Sequence, residues 1–466
     1  MIRASRLGVL VLTVSLCAPV ARAKNPEEPE DAMPAGSDMT FLDHAGTGPF
    51  WFGAEANSIL QAHPSFPAKY PTNYTDLRSL QSTGEAAISG LFTVFSAYRP
   101  FRTTEMILDP EMAVGGGLSQ AQGIAAFTNL DVVRNPSLPK VPYIGRAEIH
   151  QLIPLSSDWE RNEDRGPISS FAYVPRHRLE VRVGKMSTAD IFDINPAASD
   201  SHMQFMNWAV DNNGAYDYAA DTRGYTYGAI VEYQGPYFEL RFGEMLMPTY
   251  ANGPILDWDI AKNRAENLEL EIKYRRDRDW AGTVRLLAYQ NYANMGGYQD
   301  AIDAFENHVD ARPDVTLHRE AGRSKRGLGM NVIQNLRGVA RGFLRLGWND
   351  GQNESFAYTE IDNTFEIGGD LRGVVWKRPE DKIGLAVVSS GLSSVHAEYL
   401  RLGGIGFIIG DGNLTYARET IVEQYYNFHV WRGVFLAEDV QLVENPGYNS
   451  DRGPVWVFSL RGHLEF

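Results

Sequence analysis

The stretch VWVFSLRGHLEF, residues 455–466, decides the fold class because its side chains alternate in character. From Trp456 to Phe466 every second residue is apolar or glycine, whereas the residues at the other positions from Ser459 to Glu465 are polar or charged. A β-strand directs alternate side chains to opposite faces, so one face here is apolar and the other is polar. A tilted strand crosses a bilayer in ~9–11 residues, and this stretch is slightly longer. An amphipathic edge strand of a soluble sandwich has the same pattern, so recurrence along the chain must separate the two environments.

The same alternation recurs along the chain. It is found in six further segments: 143–150, 176–184, 237–242, 267–274, 340–348 and 365–375. In 267–274, for example, Glu269 and Glu271 alternate with Leu268 and Leu270. A period of two residues predicts strands with one apolar and one polar face.

The connections between the predicted strands separate a membrane barrel from a soluble sandwich. They alternate between short turns, at 99–103, 234–236, 276–280, 335–338, 377–381 and 430–433, and long loops, near 62–84, 113–141, 185–223, 248–264, 293–325, 350–360, 393–415 and 445–454. Short turns on one rim and long loops on the other are typical of outer-membrane β-barrels. One connection, 155–172, is longer than its place in the alternation predicts.

The strand count supports a closed barrel. Strands are predicted to start near residues 50, 86, 103, 142, 174, 224, 237, 265, 281, 326, 339, 361, 382, 416, 434 and 455, which makes sixteen. The segment MQFMNWAV, residues 203–210, is assigned to a loop because a seventeenth strand would break the even count that bacterial barrels have. The predicted fold class is therefore all-β, a transmembrane antiparallel outer-membrane β-barrel of sixteen strands with short periplasmic turns and long extracellular loops. Sixteen strands enclose an aqueous lumen, which the polar faces would line.

The first residues predict export from the cytoplasm. Residues 1–23 have two early arginines, an apolar core and an Ala-Arg-Ala cleavage site, the features of a secretory signal peptide. Residues 24–46 are rich in proline and acidic residues and predict a flexible acidic segment. Residues 47–466 are then expected to form the barrel domain, in the outer membrane of a Gram-negative cell. The single cysteine, Cys17, lies in the signal peptide, so the exported chain is expected to fold without disulfides.

Composition and motifs disfavour several other classes of function. The net charge of −15 disfavours a nucleic-acid partner. The ten histidines show no metal-ligand spacing, and a Gly-x-Ser-x-Gly nucleophile motif is absent from the sequence. Glu148 and Glu180 resemble a glycosidase pair, but any charged lumen generates such pairs. We therefore expect no catalytic residue, no metal and no cofactor.

Several segments resemble the carbohydrate-selective porins of the OprB family. They are WFGAEANSILQAHPSF (51–66), LDPEMAVGGGLSQAQGIAAFTN (108–129), VRVGKMSTADIFDIN (181–195), HMQFMN (202–207), ETIVEQYY (419–426) and EDVQLVENPG (438–447). The resemblance covers roughly residues 50–466 and implies passive diffusion of sugars across the outer membrane. Two features depart from the family pattern: FTNLDVV (127–133) follows the glycine-rich segment, and 293–325 is a long charged loop.

Candidate pore-lining residues come from the polar faces of the predicted strands, since charged groups and amides bind sugar hydroxyls. They are Arg99, Glu111, Arg146, Glu148, Arg178, Glu180, Arg182, Glu423, Asp439 and Gln441. Arg99, Glu111, Arg146 and Arg178 are expected on strands beside the glycine-rich 113–141 loop, where they would line a constriction. Either that loop or 185–223 is expected to fold inward and narrow the pore. For each of these residues a purely structural ion pair across the wall is the alternative.

The expected partners are transported sugars, outer-membrane lipid and the barrel assembly machinery, which Phe466 would engage as the end of the terminal strand. Aromatic residues expected at the two membrane interfaces are Tyr225, Tyr227, Tyr233, Tyr274, Trp348, Trp376, Phe458 and Phe466. Three alternatives remain open at this point. They are a general small-solute channel, an outer-membrane barrel enzyme, and a secreted soluble sugar-binding β-protein.

Overall fold

A computed structural model describes residues 39–466, except residues 45, 47, 72–76, 133–137, 163–164, 276–277 and 357–358. The predicted signal peptide, 1–23, and most of the predicted acidic segment, 24–46, lie outside the described residues. Among the residues described, no helix has the length and apolar character needed to cross a membrane.

Within the part of the chain that the structure describes there are eighteen strands. They are β1 (Phe50–His63), β2 (Glu85–Phe101), β3 (Thr104–Gly115), β4 (Tyr143–Pro154), β5 (Trp159–Arg161), β6 (Tyr173–Pro175), β7 (Arg178–Met186), β8 (Thr226–Gln234), β9 (Phe238–Leu246), β10 (Arg264–Arg275), β11 (Gly282–Gly296), β12 (Arg319–Leu336), β13 (Ala340–Asn349), β14 (Asn363–Arg372), β15 (Lys382–Gly391), β16 (Glu419–Trp431), β17 (Val434–Glu444) and β18 (Val455–Glu465). The described portions of the long loops contain three α-helices: α1 (Trp208–Asp211), α2 (Tyr298–Glu306) and α3 (Ser394–Arg401).

Sixteen of these strands form one closed antiparallel barrel, and β5 and β6 form a separate two-stranded sheet. The barrel closes where β1 pairs with β18, with Leu60 opposite Leu460. Closure leaves no unpaired sheet edge, as hydrocarbon requires. The predicted sixteen-strand barrel is confirmed. The largest difference in a strand start is at β12, which begins at Arg319 because β11 and β12 keep pairing beyond the predicted boundary, as far as Gly296 opposite Arg319.

The two faces of each strand meet the environments that their side chains predict. On β10, Leu268 and Ile272 are exposed on the outer wall, whereas Glu269 and Glu271 are buried in the lumen. On β18, Leu460 is 63% exposed and Arg461 next to it is 2% exposed. The apolar face of the terminal strand therefore points outward and its polar face points into the barrel.

The predicted interfacial aromatics divide into two groups. Tyr227, Tyr274, Trp348 and Phe458 are exposed on the outer wall, as interfacial side chains should be. Tyr225 is an exception, because it precedes β8 and turns its hydroxyl inward to Glu111. The expectation of an interfacial position was wrong for this tyrosine.

The long connection between β4 and β7 carries the extra hairpin of β5 and β6 at the short-turn rim. Part of this connection folds back into the barrel: the Ser170 amide donates to Glu105 on β3 at 2.9 Å, and the Ile168 carbonyl accepts from Arg182 at 3.0 Å. At the same rim, the Phe41 amide donates to the Glu465 carbonyl at 2.9 Å and its ring packs on Phe466.

Two extracellular loops fold into the lumen. We call residues 116–142 the glycine-rich loop and residues 187–225 the inner loop. Segment 203–210 lies in the inner loop, as the strand count requires, and contains the start of α1. The inner loop is bound to the opposite wall by buried lumen groups: Glu269 accepts from the Asp193 amide at 2.7 Å, and Arg345 donates to the Val210 carbonyl at 2.7 Å.

Candidate functional site

A cavity of about 560 Å³ lies inside the barrel, between β1–β4 and the two inward-folded loops. Barrel strands contribute Glu55, Phe95, Glu111 and Arg146 to its wall, and the inner loop contributes Asp190, His202, Trp208 and Tyr218. The connection between β4 and β7 bounds it with Pro167 and Ile168. Cavities of a few hundred cubic ångströms are typical of small-molecule sites.

Arg146 is the basic group that the barrel strands contribute to this wall, and Arg223 of the inner loop is a second arginine in it. Its guanidinium donates to Asp109 on the neighbouring strand β3 at 3.2 Å and to Asp190 of the inner loop at 3.1 Å. One arginine therefore joins the barrel wall to the loop that narrows the lumen. Because both partners are carboxylates, Arg146 is held in place with N–H groups directed at acceptors in the cavity wall.

Glu111 on β3 is one of several acidic groups in the cavity wall. One of its oxygens accepts from the Tyr225 hydroxyl at 2.6 Å, and the other accepts from the Tyr143 hydroxyl. A Cβ at position 145 would lie 2.9 Å from the Tyr225 ring, so Gly145 makes room for this ring against the wall. The two phenols present ring edges and hydroxyls beside a carboxylate, which is a suitable lining for a solute with many hydroxyl groups.

Aromatic rings of the inner loop line the cavity on another side. Trp208 and Tyr218 are nearly parallel, with an interplanar angle of 12° and centroids 6.5 Å apart. Phe127 of the glycine-rich loop packs edge-on against Trp208 at 5.6 Å. Because both loops contribute to this ring cluster, apolar packing between them helps to hold the cavity wall in place.

His202 joins the inner loop to the barrel and to the glycine-rich loop. Its Nδ1 lies 2.9 Å from Glu55 of β1, and its Nε2 lies 2.9 Å from Asp131. Burial lowers the pKa of His202, but the charges of Glu55 and Asp131 outweigh burial and raise the pKa well above its usual value. Burial raises the pKa of Asp131, but His202 and a hydrogen bond from Asn57 lower it overall.

The other predicted site residues lie elsewhere in the lumen. Arg99 and Arg178 were expected beside the glycine-rich loop, but they lie at the opposite, short-turn ends of β2 and β7. Arg99 donates to the carbonyls of Gly48 and Ser170. Arg178 donates to Glu180 at 2.6 Å. Strand direction explains their placement. Arg99 is near the end of β2, which runs toward the short-turn rim, and Arg178 is the first residue of β7, which starts at that rim.

Glu148, Glu180 and Arg182 form a buried charge network with the wall and do not line the cavity. Arg182 donates to Glu148 at 2.8 Å, and Glu180 lies 2.8 Å from His150. These contacts are the cross-wall pairs that were the structural alternative for each residue. They hold β4 to β7 and to the connection between them.

Glu423, Asp439 and Gln441 face the lumen but are covered by the two loops. Glu423 accepts from the Met206 amide at 2.6 Å, and Gln441 donates to the Thr128 carbonyl at 2.8 Å and to Asp439 at 3.1 Å. Glu423 and Gln441 therefore anchor the loops whose other sides form the cavity wall, and Asp439 accepts from Gln441 within the barrel wall.

Several cavity residues were not identified from the sequence as site residues: Glu55, Tyr143, Asp190, His202, Trp208, Tyr218 and Tyr225. Glu55, Asp190 and His202 fall inside segments that resemble the porin family, which was the available signal. The alternation of strands carries no information about loop residues, so their inward positions required the folded chain.

Comparison with known proteins gives a family and a fold. A family model described as "Carbohydrate-selective porin, OprB family" matches residues 170–466. The high-pH structure of Pseudomonas putida OprB is similar with a TM-score of 0.67 at 16% identity, over 90% of this chain and 94% of that chain. The outer membrane channel DcaP of Acinetobacter baumannii aligns over 90% of this chain and 97% of its own, with a TM-score of 0.46 at 10% identity. No curated protein sequence matches the chain.

Proposed function

The chain belongs to the OprB family of carbohydrate-selective porins, and from this premise we propose that sugars cross the barrel through the cavity between β1–β4 and the inner loop. The protein is an outer-membrane β-barrel that lets sugars diffuse passively through its lumen. The observation that carries the proposed path is the composition of the cavity wall. Paired basic and acidic groups, phenols and aromatic rings surround one internal space of about 560 Å³.

Each part of this wall has a role in moving a sugar. The guanidinium of Arg146 and the phenols on Glu111 supply hydrogen bonds to sugar hydroxyls, and Trp208 offers a ring face to the C–H groups of a sugar ring. Because these polar groups are already paired with one another, they gain little by binding solute tightly. Conduction needs this balance, since binding must favour entry and still permit release.

Other solutes and other activities fit less well. A general channel needs no ring platform beside its charged groups, and the family is carbohydrate-selective. The family and the fold favour a channel over an enzyme. In line with export, we further propose that residues 1–23 are a signal peptide, that 24–46 form a lead-in to the barrel domain 47–466, and that Phe466 with the terminal strand engages the assembly machinery in a lipid outer membrane.

Single-channel recordings test the proposed path. The full-length mature protein would be inserted into planar bilayers, and ion current would be recorded while glucose is added to one side. Arg146→Ala should raise small-ion conductance and weaken glucose block, because the cavity loses a bulky donor. The matched control is Arg178→Ala, which removes a lumen arginine that does not line the cavity.

The control should keep wild-type glucose block. Equal weakening in both variants would show that lumen charge in general, and not this cavity, governs sugar passage. Unchanged block in Arg146→Ala would remove Arg146 from the path.

A further inference from the structure

A second cluster lies beside the cavity, where the first and last strands close the barrel. Glu55 is on β1, His463 is on β18, and His202 reaches them from the inner loop. One carboxylate oxygen of Glu55 and one ring nitrogen of each histidine lie within 4.8 Å of one another. Glu55 and His202 also line the cavity, so a small ion in the lumen can reach them. The two histidines are far apart in sequence, which explains why residue spacing did not indicate a metal site.

The Nε2 atom of each histidine already lies beside a carboxylate. Nε2 of His202 lies 2.9 Å from Asp131, and Nε2 of His463 lies 2.9 Å from Glu465. Metal-binding histidines in proteins usually give their second ring nitrogen to a carboxylate in this way, which fixes the ring and raises its basicity. This arrangement leaves Nδ1 of His463 for a ligand, whereas Nδ1 of His202 is hydrogen-bonded to Glu55, and an ion bound between them would replace that hydrogen bond.

The Nδ1 atom of His463 points to a missing partner. Nδ1 of His202 lies 2.9 Å from Glu55. Nδ1 of His463 is buried and has no hydrogen-bond partner among the described residues, and the whole residue is 2% exposed. A buried polar nitrogen without a partner is unfavourable and rare, so something else is expected to satisfy it.

We propose that Glu55, His202 and His463 bind a divalent transition metal ion, with zinc as the best match, through one carboxylate oxygen and the two Nδ1 atoms. Imidazole nitrogen together with carboxylate oxygen is a donor set that zinc accepts, whereas calcium and magnesium prefer oxygen alone. Three protein ligands leave a fourth position on the metal, facing the cavity. The ion would join the first strand, the last strand and the inner loop at the barrel seam.

The geometry requires only a small adjustment. Ligands about 2.1 Å from a tetrahedral zinc lie about 3.4 Å apart. The three donor atoms, all within 4.8 Å of one another, therefore need to approach by at most ~1.4 Å. His202 is the one proposed ligand that lies on a loop and not on a barrel strand.

A rival account is that His202 only forms ion pairs with its two carboxylates. The barrel contains a natural comparison for it. His150 lies between Glu105 at 2.7 Å and Glu180 at 2.8 Å, with both ring nitrogens occupied and no second histidine in a ligand cluster among the described residues. His150→Gln is therefore a matched control for any substitution of His202 or His463.

The test uses the full-length mature barrel, refolded and metal-free, with Zn²⁺ and Co²⁺ as probes. Calorimetry should find one saturable Zn²⁺ site per chain, and Co²⁺ should give a visible absorption band from nitrogen and oxygen ligands. His463→Gln and Glu55→Gln should each weaken Zn²⁺ binding at least ~10-fold and abolish the band. Glu465→Gln, which changes only the carboxylate behind His463, should weaken binding roughly 10–100-fold.

Heat-modifiable gel mobility would confirm that every variant is folded before binding is measured. His150→Gln should bind both ions as the wild type does. The proposal is overturned if the wild type shows no saturable Zn²⁺ site, or if folded His463→Gln and Glu55→Gln bind Zn²⁺ with wild-type affinity. It is also overturned if His150→Gln loses binding to the same extent.

Discussion

Leu270 on β10 tests the assignment of the two barrel faces. It lies at the middle of a strand that spans Arg264–Arg275, and it pairs across the sheet with Leu286, which is 44% exposed on the outer wall. An arginine there would point into the centre of the bilayer. The expected cost to the free energy of unfolding of Leu270→Arg is about 2–4 kcal/mol.

Gln290 on β11 supplies a control on the same outer face. It pairs with Glu266, four residues from Leu270 toward the extracellular rim. Four residues of strand cover about 13 Å, or about 10 Å of depth at a tilt of about 40°. The apolar band is about 25 Å tall, so Gln290 lies near its edge, where an added arginine costs about 0–1 kcal/mol. Glu271 would be a poor control, because its carboxylate binds Arg241 and Arg285.

The assay is urea unfolding of each variant from lipid vesicles, followed by tryptophan fluorescence and heat-modifiable mobility. The two arginine variants should differ by about 2–3 kcal/mol, or roughly 30- to 150-fold in the folding equilibrium constant. A one-residue slip of the sheet would exchange the two faces. Equal stability of Leu270→Arg and Gln290→Arg would therefore refute the assigned register and facing.

Further predictions concern the terminus, the aromatic wall and the loop anchor. Phe466 pairs with Ala54 and packs on Phe41. Its deletion should lower the amount of heat-modifiable barrel in the outer membrane without reducing export, and a normal amount of barrel on cell fractionation would argue against this. Trp208→Phe should raise ion conductance in planar bilayers by removing ring area from the cavity wall, whereas unchanged conductance would place the constriction elsewhere. The folded pKa of His202 is raised, so the stabilisation from its ion pairs is fully present below about pH 6.5 and is lost as pH rises through the folded pKa. In metal-free buffer, the difference in urea stability between wild type and His202→Gln should therefore shrink from about pH 5 to about pH 9, and a difference that grows would contradict the sign.

The sequence predicts the barrel well because a strand has a strict period of two. The alternation in 267–274 identifies which side chains face lipid. A membrane-spanning sheet must close into a barrel, because hydrocarbon cannot satisfy the hydrogen-bonding groups of an open edge. Loop lengths then give the rim to which each strand end belongs. The start of β12 was misplaced the most, since pairing beyond the apolar band leaves no hydrophobic pattern.

The candidate site was predicted only in part. Glu111 and Arg146 were identified because they lie on alternating strands near a glycine-rich segment. Asp190 and His202 belong to a loop, where side-chain direction follows from tertiary contacts and not from periodicity. Arg99 and Arg178 were placed on the correct face of their strands but at the wrong depth in the pore. Alternation predicts the face of a residue, whereas its depth depends on the direction and tilt of the strand.

Chemical blockade of the cavity tests the central claim, that sugars pass through this space. The single cysteine of the chain is Cys17, so Ser201→Cys in the cavity wall gives the exported protein one thiol there, and Ser450→Cys gives an exposed thiol on an extracellular loop. Glucose flux into liposomes would be measured before and after complete labelling with a bulky methanethiosulfonate reagent. The proposed path predicts that labelling abolishes flux in Ser201→Cys and leaves flux unchanged in Ser450→Cys. Undiminished glucose flux through fully labelled Ser201→Cys would contradict it.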